Sequence, residues 1–121
     1  LEVAPGPGYL SLELAKLGNY TLAGLDISKT FVEIARKNAE EAGVEIDFRL
    51  GDAAAMPFPD ETFDLIICRL SFKNFSQPIA ALNEMNRVLK PGGEAVIFDL
   101  RGDVTTEAMN RHVEEELAYT P

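Results

Sequence analysis

Cysteine and basic charge are both scarce in this sequence. A single cysteine, Cys68, among 121 residues excludes an internal disulfide framework. Its place in the apolar run Leu65-Ile66-Ile67-Cys68 fits a reducing compartment, the cytoplasm by default. Eleven Lys and Arg face 20 Asp and Glu, a formal charge of −9 with no basic arm or acidic tail. Such a field repels phosphate backbones and anionic lipid, so nucleic acid is not the expected partner. No apolar stretch approaches the ~20 residues of a membrane span, and no charged segment precedes an apolar one as in a secretion signal. No His, Cys or acidic cluster has metal-ligand spacing, so no metal is expected. What is present, 46% hydrophobic and 26% charged residues, is the composition of one globular domain.

Helical and extended patterns alternate along the whole chain without a repeat or a long linker. Leu1-Glu2-Val3-Ala4 reads as a strand end and Pro5-Gly6-Pro7-Gly8 as a tight turn. Leu10, Leu14 and Leu17 then share a helix face that Gly18 closes. A strand follows at 20–25, and Ser28 caps a helix whose apolar face is Phe31, Ile34, Ala35, Ala39 and Ala42, with Gly43 ending it. Residues 44–50 alternate with period two, the mark of a half-buried strand near a sheet edge. Met56-Pro57-Phe58-Pro59-Asp60 is a covering loop, and 63–70 is the most apolar strand, suited to the centre of a parallel sheet. Ser76-Gln77-Pro78 opens a helix carrying Ile79, Leu82, Met85, Val88 and Leu89, and Lys90-Pro91-Gly92-Gly93 stops it. A fifth strand at 94–100 and a last amphipathic helix at 106–117 complete the order β-α-β-α-β-loop-β-α-β-α. Right-handed crossovers turn this order into a doubly wound, mainly parallel α/β sheet with helices on both faces. Its ligand should lie at the carboxyl ends of the strands, at the switch point beside the first one.

The first strand-helix junction carries the sharpest chemical signal. Two glycines, Gly6 and Gly8, sit where the backbone must turn tightly beside a ligand. The dinucleotide fingerprint G-x-G-x-x-G is only half met, because Ser11 takes the third glycine position. An acid, Glu2, stands in the strand four residues before Gly6, where it opposes a pyrophosphate and suits a cationic ligand. This stretch resembles the first motif of the class I S-adenosylmethionine-dependent methyltransferases, E/D-x-G-x-G-x-G, here Glu2-Val3-Ala4-Pro5-Gly6-Pro7-Gly8 with Ala4 in place of the first glycine. Asp26 closes the second strand eighteen residues after Gly8 and reads either as a helix-capping or turn residue or as a ribose ligand. The resemblance makes Asp26, followed by Ile27, the ribose side of the pocket. Gly51-Asp52-Ala53 is similar to the family's adenine motif, and Ala54-Ala55-Met56-Pro57-Phe58 to the loop over the same pocket. Phe63-Asp64-Leu65-Ile66-Ile67 and Arg87-Val88-Leu89-Lys90-Pro91-Gly92-Gly93 look like its fourth strand and the end of the helix that follows.

The resemblance spans residues 1–100 and implies a Rossmann-like methyltransferase fold with S-adenosyl-L-methionine as cofactor. It implies methyl transfer to a nucleophilic atom, with S-adenosyl-L-homocysteine as product. By elimination, the acceptor is expected to be a small molecule. Glu2, Ala4, Pro5, Gly6, Gly8, Asp26, Ile27, Gly51, Asp52, Ala53 and Arg69 are the candidate cofactor residues. Arg69 reads equally as a contact to cofactor or anionic substrate and as one half of an ion pair. Where relatives often carry His-His-Phe, this chain has Lys73-Asn74-Phe75, so no general base is assigned. Phe72, Phe75 and Met56 read as packing residues, Cys68 as core, and His112 as a solvated helix residue. Two other readings remain: a nicotinamide-dependent oxidoreductase and a methyltransferase-like module without turnover. The chain opens on Leu1 inside a strand, so residues 1–121 are expected to be a single cofactor-binding domain cut at both ends.

Overall fold

The computed structural model describes residues 1–99. The expected helix at 106–117 and His112 lie outside them. In chain order the elements are β1 (Glu2–Val3), α1 (Tyr9–Lys16), β2 (Ala23–Asp26), α2 (Lys29–Ala42), β3 (Asp47–Leu50), β4 (Phe63–Arg69), a 3-10 turn (Phe72–Asn74), α3 (Pro78–Val88) and β5 (Leu89–Phe98). The five strands form one parallel sheet in the order β3-β2-β1-β4-β5, so the chain reverses direction across the sheet between β1 and β4. This is the doubly wound, Rossmann-like arrangement, with β3 at the expected edge.

Strand register sorts the side chains onto two faces. Val3 lies opposite Leu25 and Cys68, and these join Ile66, Met85, Val88, Met56 and Phe58 in a core beneath α3. Gly24 lies opposite Phe48, which packs with Leu12, Val32, Ala35 and Ala39 beneath α1 and α2. Helices therefore lie on both faces, as in parallel sheets generally. Among the described residues, however, the β4–β5 end is not covered on both: Leu65, Val96, Ile97 and Phe98 are exposed, against the expectation for the most apolar strand. Met56 and Phe58 are core residues, so the loop that carries them covers the sheet as the sequence suggested.

Local signals set several boundaries. Ser28 Oγ accepts from Phe31 N at 3.2 Å at the start of α2, and Gly43 ends that helix with φ of 69°. Other expectations are corrected. The inward face of α2 is Val32, Ala35 and Ala39, while Phe31 and Ile34 are exposed, because α2 packs against Phe48 and the turn before α1. In α1 the buried residues are Ser11 and Leu12, and Leu17 faces solvent. The residue before α3 is Gln77 without a side-chain cap, so Ser76 does not cap the helix. Residues 20–22 precede β2, and residues 44–46 precede β3. β5 begins at Leu89, with Pro91-Gly92-Gly93 looped out between two paired stretches: Phe63 faces Leu89, but Leu65 already faces Glu94.

β1 ends because Ala4 turns left-handed. Its N–H continues the ladder to Leu25 O at 2.7 Å, yet its φ is 59°. This is the position at which the resembling motif has its first glycine. An L-residue in that region is disfavoured by ~1–2 kcal/mol, partly offset in glycine by greater unfolded-state freedom. Replacing Ala4 by Gly should therefore stabilise the fold by about 1 kcal/mol and raise the thermal unfolding midpoint by a few degrees. A lower midpoint would show that the Ala4 methyl contributes packing that outweighs its backbone strain.

Candidate functional site

The carboxyl ends of β1, β2 and β3 and the segment after β4 enclose a half-open cleft of about 150 Å³. It lies at the switch point predicted by the topology. Asp26, at the end of β2, is 7% exposed, and both of its oxygens are engaged by backbone: Gly6 N donates to Oδ2 at 3.0 Å and Ser28 N to Oδ1 at 2.9 Å. A carboxylate offers about four acceptor positions, so roughly two remain for a ligand. Asp52 Oδ1 accepts from Ala54 N at 2.9 Å, a turn-forming bond that leaves its second oxygen available. Gly51 admits Leu25 closely: a Cβ there would come within 2.8 Å of Leu25 Cδ1. Among the described residues, Asp26 and Asp52 are the charged ones that line the cleft, and both are acids.

Of the residues singled out in the sequence, Ala4, Asp26, Ile27, Gly51, Asp52 and Ala53 line this one cleft. Gly6 reaches it through its bond to Asp26. Pro5 is in the same turn, and its carbonyl accepts from Gly8 N at 3.0 Å. Gly8 has a separate reason to lack a side chain: a Cβ would come within 2.9 Å of Phe48 and 3.2 Å of Ala35. Glu2 points the other way. Register places it on the α1 face of the sheet, where its buried Oε1 accepts from Ser11 Oγ at 2.7 Å, beside a different groove. Arg69, exposed at the end of β4, is not among the cleft residues, and among the described residues its guanidinium has no ion pair.

The opposite wall, between β4 and α3, was read from sequence only in part: Asn74 and Phe75 belong to the segment that the resemblance set at the end of the fourth strand, whereas Ser76, Gln77 and Ala81 were not singled out as site residues. For these three, parallel topology alone carries the signal, since any segment leaving the carboxyl end of β4 must pass the switch point. Phe75 also lines this wall and meets Phe72 edge to face at 5.4 Å, and both pack on the core, so the packing reading holds for the pair. Lys73 N donates to Asp99 Oδ2 at 3.0 Å, tying the 3-10 turn to the end of β5. Among the described residues no group of three or more His, Cys, Asp or Glu is placed to hold a metal ion. No helix among them is long and apolar enough to cross a membrane.

Cys68 is fully buried, and burial, with the negative charges of Asp99 and Glu2 behind it, pushes its thiol up to about 11. It is a core residue, as read from the sequence. Native protein near pH 8 should therefore resist iodoacetamide at Cys68 and be labelled there only after denaturation; rapid native labelling would contradict this burial.

The site residues fit an adenosyl ligand with positive charge: a buried acid with spare acceptor positions for vicinal hydroxyls, a second acid, and apolar Ile27 and Ala53 beside them. Comparison with known proteins agrees with that chemistry. Residues 1–97 match the family described as Methyltransferase domain. A demethylmenaquinone methyltransferase from Thermus thermophilus is 39% identical over 100 residues, covering 82% of this chain and 46% of that protein. A crystal structure of a proposed S-adenosyl-L-methionine-dependent methyltransferase from Methanococcus maripaludis superposes with a TM-score of 0.80 at 33% identity, covering 99% of this chain and 55% of the other. The [4+2]-cyclase SpnF superposes with a TM-score of 0.77 at 35% identity, covering 79% of this chain and 36% of its own. The chain thus spans about half the length of the curated relatives it matches.

Proposed function

This chain belongs to the Methyltransferase domain family, and from that premise we propose that its cleft binds S-adenosyl-L-methionine and that the whole protein transfers the methyl group to a small molecule. The observation that carries this reading is the pair of acids, Asp26 and Asp52, that line the cleft at the ends of β2 and β3. At an effective dielectric near 20, two unit charges about 4 Å apart interact by roughly 4 kcal/mol, and this is the scale on which acids in a cleft favour a cationic ligand over an anionic one.

In this reading Asp26 accepts the two ribose hydroxyls with the positions left free by Gly6 and Ser28. Asp52 accepts from the adenine amine with the oxygen not used by Ala54, and Ile27 and Ala53 give apolar surface to the ring. Ala4, Pro5 and Gly6 form the floor beneath the methionine moiety. Glu2 and Gly8 act from behind that floor, Glu2 by its charge at the first turn of α1 and Gly8 by letting the turn close on Phe48. When bound, the cofactor supplies the methyl electrophile and leaves as S-adenosyl-L-homocysteine after in-line displacement. The chain's share is alignment and electrostatics, with no side chain assigned to move a proton. Arg69, which is outside the residues that line the cleft, is assigned in this reading to the acceptor side. The names of the relatives make a demethylated quinone the first acceptor to test.

A second reading is binding without methyl transfer, favoured by the likeness to a [4+2]-cyclase. Asp26 would suit a nicotinamide dinucleotide equally; Glu2, Ser11 in the third glycine position and the Gly51-Asp52 motif weigh against that alternative. Equal concentrations of S-adenosylhomocysteine and NADH should separate these ideas: the former should raise the melting midpoint and the latter should not. Asp26→Ala should weaken S-adenosylhomocysteine by roughly 10–100-fold, the effect of losing charged hydrogen bonds. Stabilisation by NADH alone overturns the reading, while binding without label transfer to any acceptor favours the non-catalytic one.

A further inference from the structure

The cleft loop is gripped from outside. Beyond Asp52, which holds Ala54 N, Ala55 N donates to Asp52 O at 3.0 Å, and the next amide, Met56 N, donates to Glu84 Oε1 at 2.8 Å. Glu84 lies one turn of α3 beyond Ala81, itself a cleft residue. Arg87 then fixes Glu84 with Nε to Oε2 at 2.6 Å and Nη2 to Oε1 at 3.1 Å. The same guanidinium donates to Met56 O at 3.1 Å, Phe58 O at 2.8 Å and Asp60 Oδ1 at 2.9 Å. These bonds hold the Glu84 carboxyl below its ordinary range. Met56 and Phe58 bury their side chains in the core on either side of the grip. One fork thus satisfies two loop carbonyls and orients a carboxylate that captures a loop amide.

We propose that Glu84, held by Arg87, is a positioning residue for the adenosine end of the cleft: by fixing the Met56 amide it sets where residues 52–54 meet the ligand. This rests on the reading of the cleft as a cofactor site and deepens it. Glu84 touches no reacting atom, so its influence falls on cofactor affinity and leaves the step at saturating cofactor unchanged. Coupling is reciprocal, so the cofactor must in turn strengthen the bond between Met56 and Glu84.

The test is titration of the intact protein with S-adenosylhomocysteine, together with steady-state rates. Glu84→Ala should weaken binding about tenfold and raise KM for S-adenosylmethionine with kcat unchanged. Glu84→Gln, which keeps an oxygen for Met56 N, should recover affinity to within about threefold of the wild type. Wild-type affinity in folded Glu84→Ala, or a loss confined to kcat, overturns the proposal. Hydrogen exchange on the wild-type protein gives an answer even if Glu84→Ala fails to fold. Saturating S-adenosylhomocysteine should slow exchange of the Met56 amide by about tenfold, and an unchanged rate overturns the proposal. Wild-type protein that binds no S-adenosylhomocysteine overturns the cofactor reading itself, an outcome distinct from normal binding by the variants.

Discussion

Everything at the cleft depends on how one buried carboxylate is satisfied. Asp26 ends β2 at 7% exposure, and an acid so far from water must be hydrogen-bonded or it destabilises the fold. Two backbone amides meet that need. Gly6 belongs to the turn after β1, and Ser28 caps α2, so one side chain ties the first strand's exit to the second strand's exit and to the helix beyond. Because β1 and β2 are parallel neighbours, both exits lie on the same side of the sheet, and the acceptor positions left on Asp26 open between them. The structural role of Asp26 and the ligand-binding role proposed for it are therefore compatible. The turn interpretation and the ribose interpretation describe different lone pairs of the same group.

Features that depend on neighbouring residues were legible in the sequence. The Ser28 cap, the Gly43 stop and the inward positions of Val44, Ile46 and Phe48 each follow from residues a few positions apart and appear in the fold, whereas Leu50, the fourth inward position expected, is exposed at the edge strand's end. The doubly wound sheet with its switch point beside β1 followed from the alternation of elements and crossover handedness. What could not be read depends on partners distant in sequence. Phe31 and Ile34 fit a helix face as well as Val32 does; which stripe turns inward is decided by Phe48 and the turn at Gly8, which α2 meets only in the folded chain. Glu2 was placed at the ligand by its motif. Strand alternation gave the opposite hint, since Val3 in the core puts Glu2 on the other face. The part of the wall from Ser76 to Ala81 has no local signature and exists because β4 sits beside β1.

Ala4 shows how the motif and the physics separate. A glycine there reads as room for a ligand, yet the backbone at Ala4 is left-handed, so the requirement is first conformational. The methyl group is tolerated because the ladder bond from Ala4 N to Leu25 O and the packing of β1 between two strands over-determine the turn. Gly8 makes the same point from the opposite side, where the missing Cβ is demanded by Phe48 and Ala35. Two of the glycine positions in the motif thus serve the chain's own geometry before any ligand arrives.

Fold alone does not choose the chemistry, because a [4+2]-cyclase shares this architecture. The choice rests on charge. A dinucleotide site of this topology sets a diphosphate over the first turn, which calls for a nearby positive field from backbone amides or bases. Here the amide of Gly6 is spent on Asp26, and Glu2 places a further negative charge under the first turn of α1. Each of these removes positive potential from the place where a diphosphate would need it, and together with Asp52 they leave a cleft whose field suits an ammonium and a sulfonium. In the proposed reading, the residues that build the turn therefore also set the sign of the ligand.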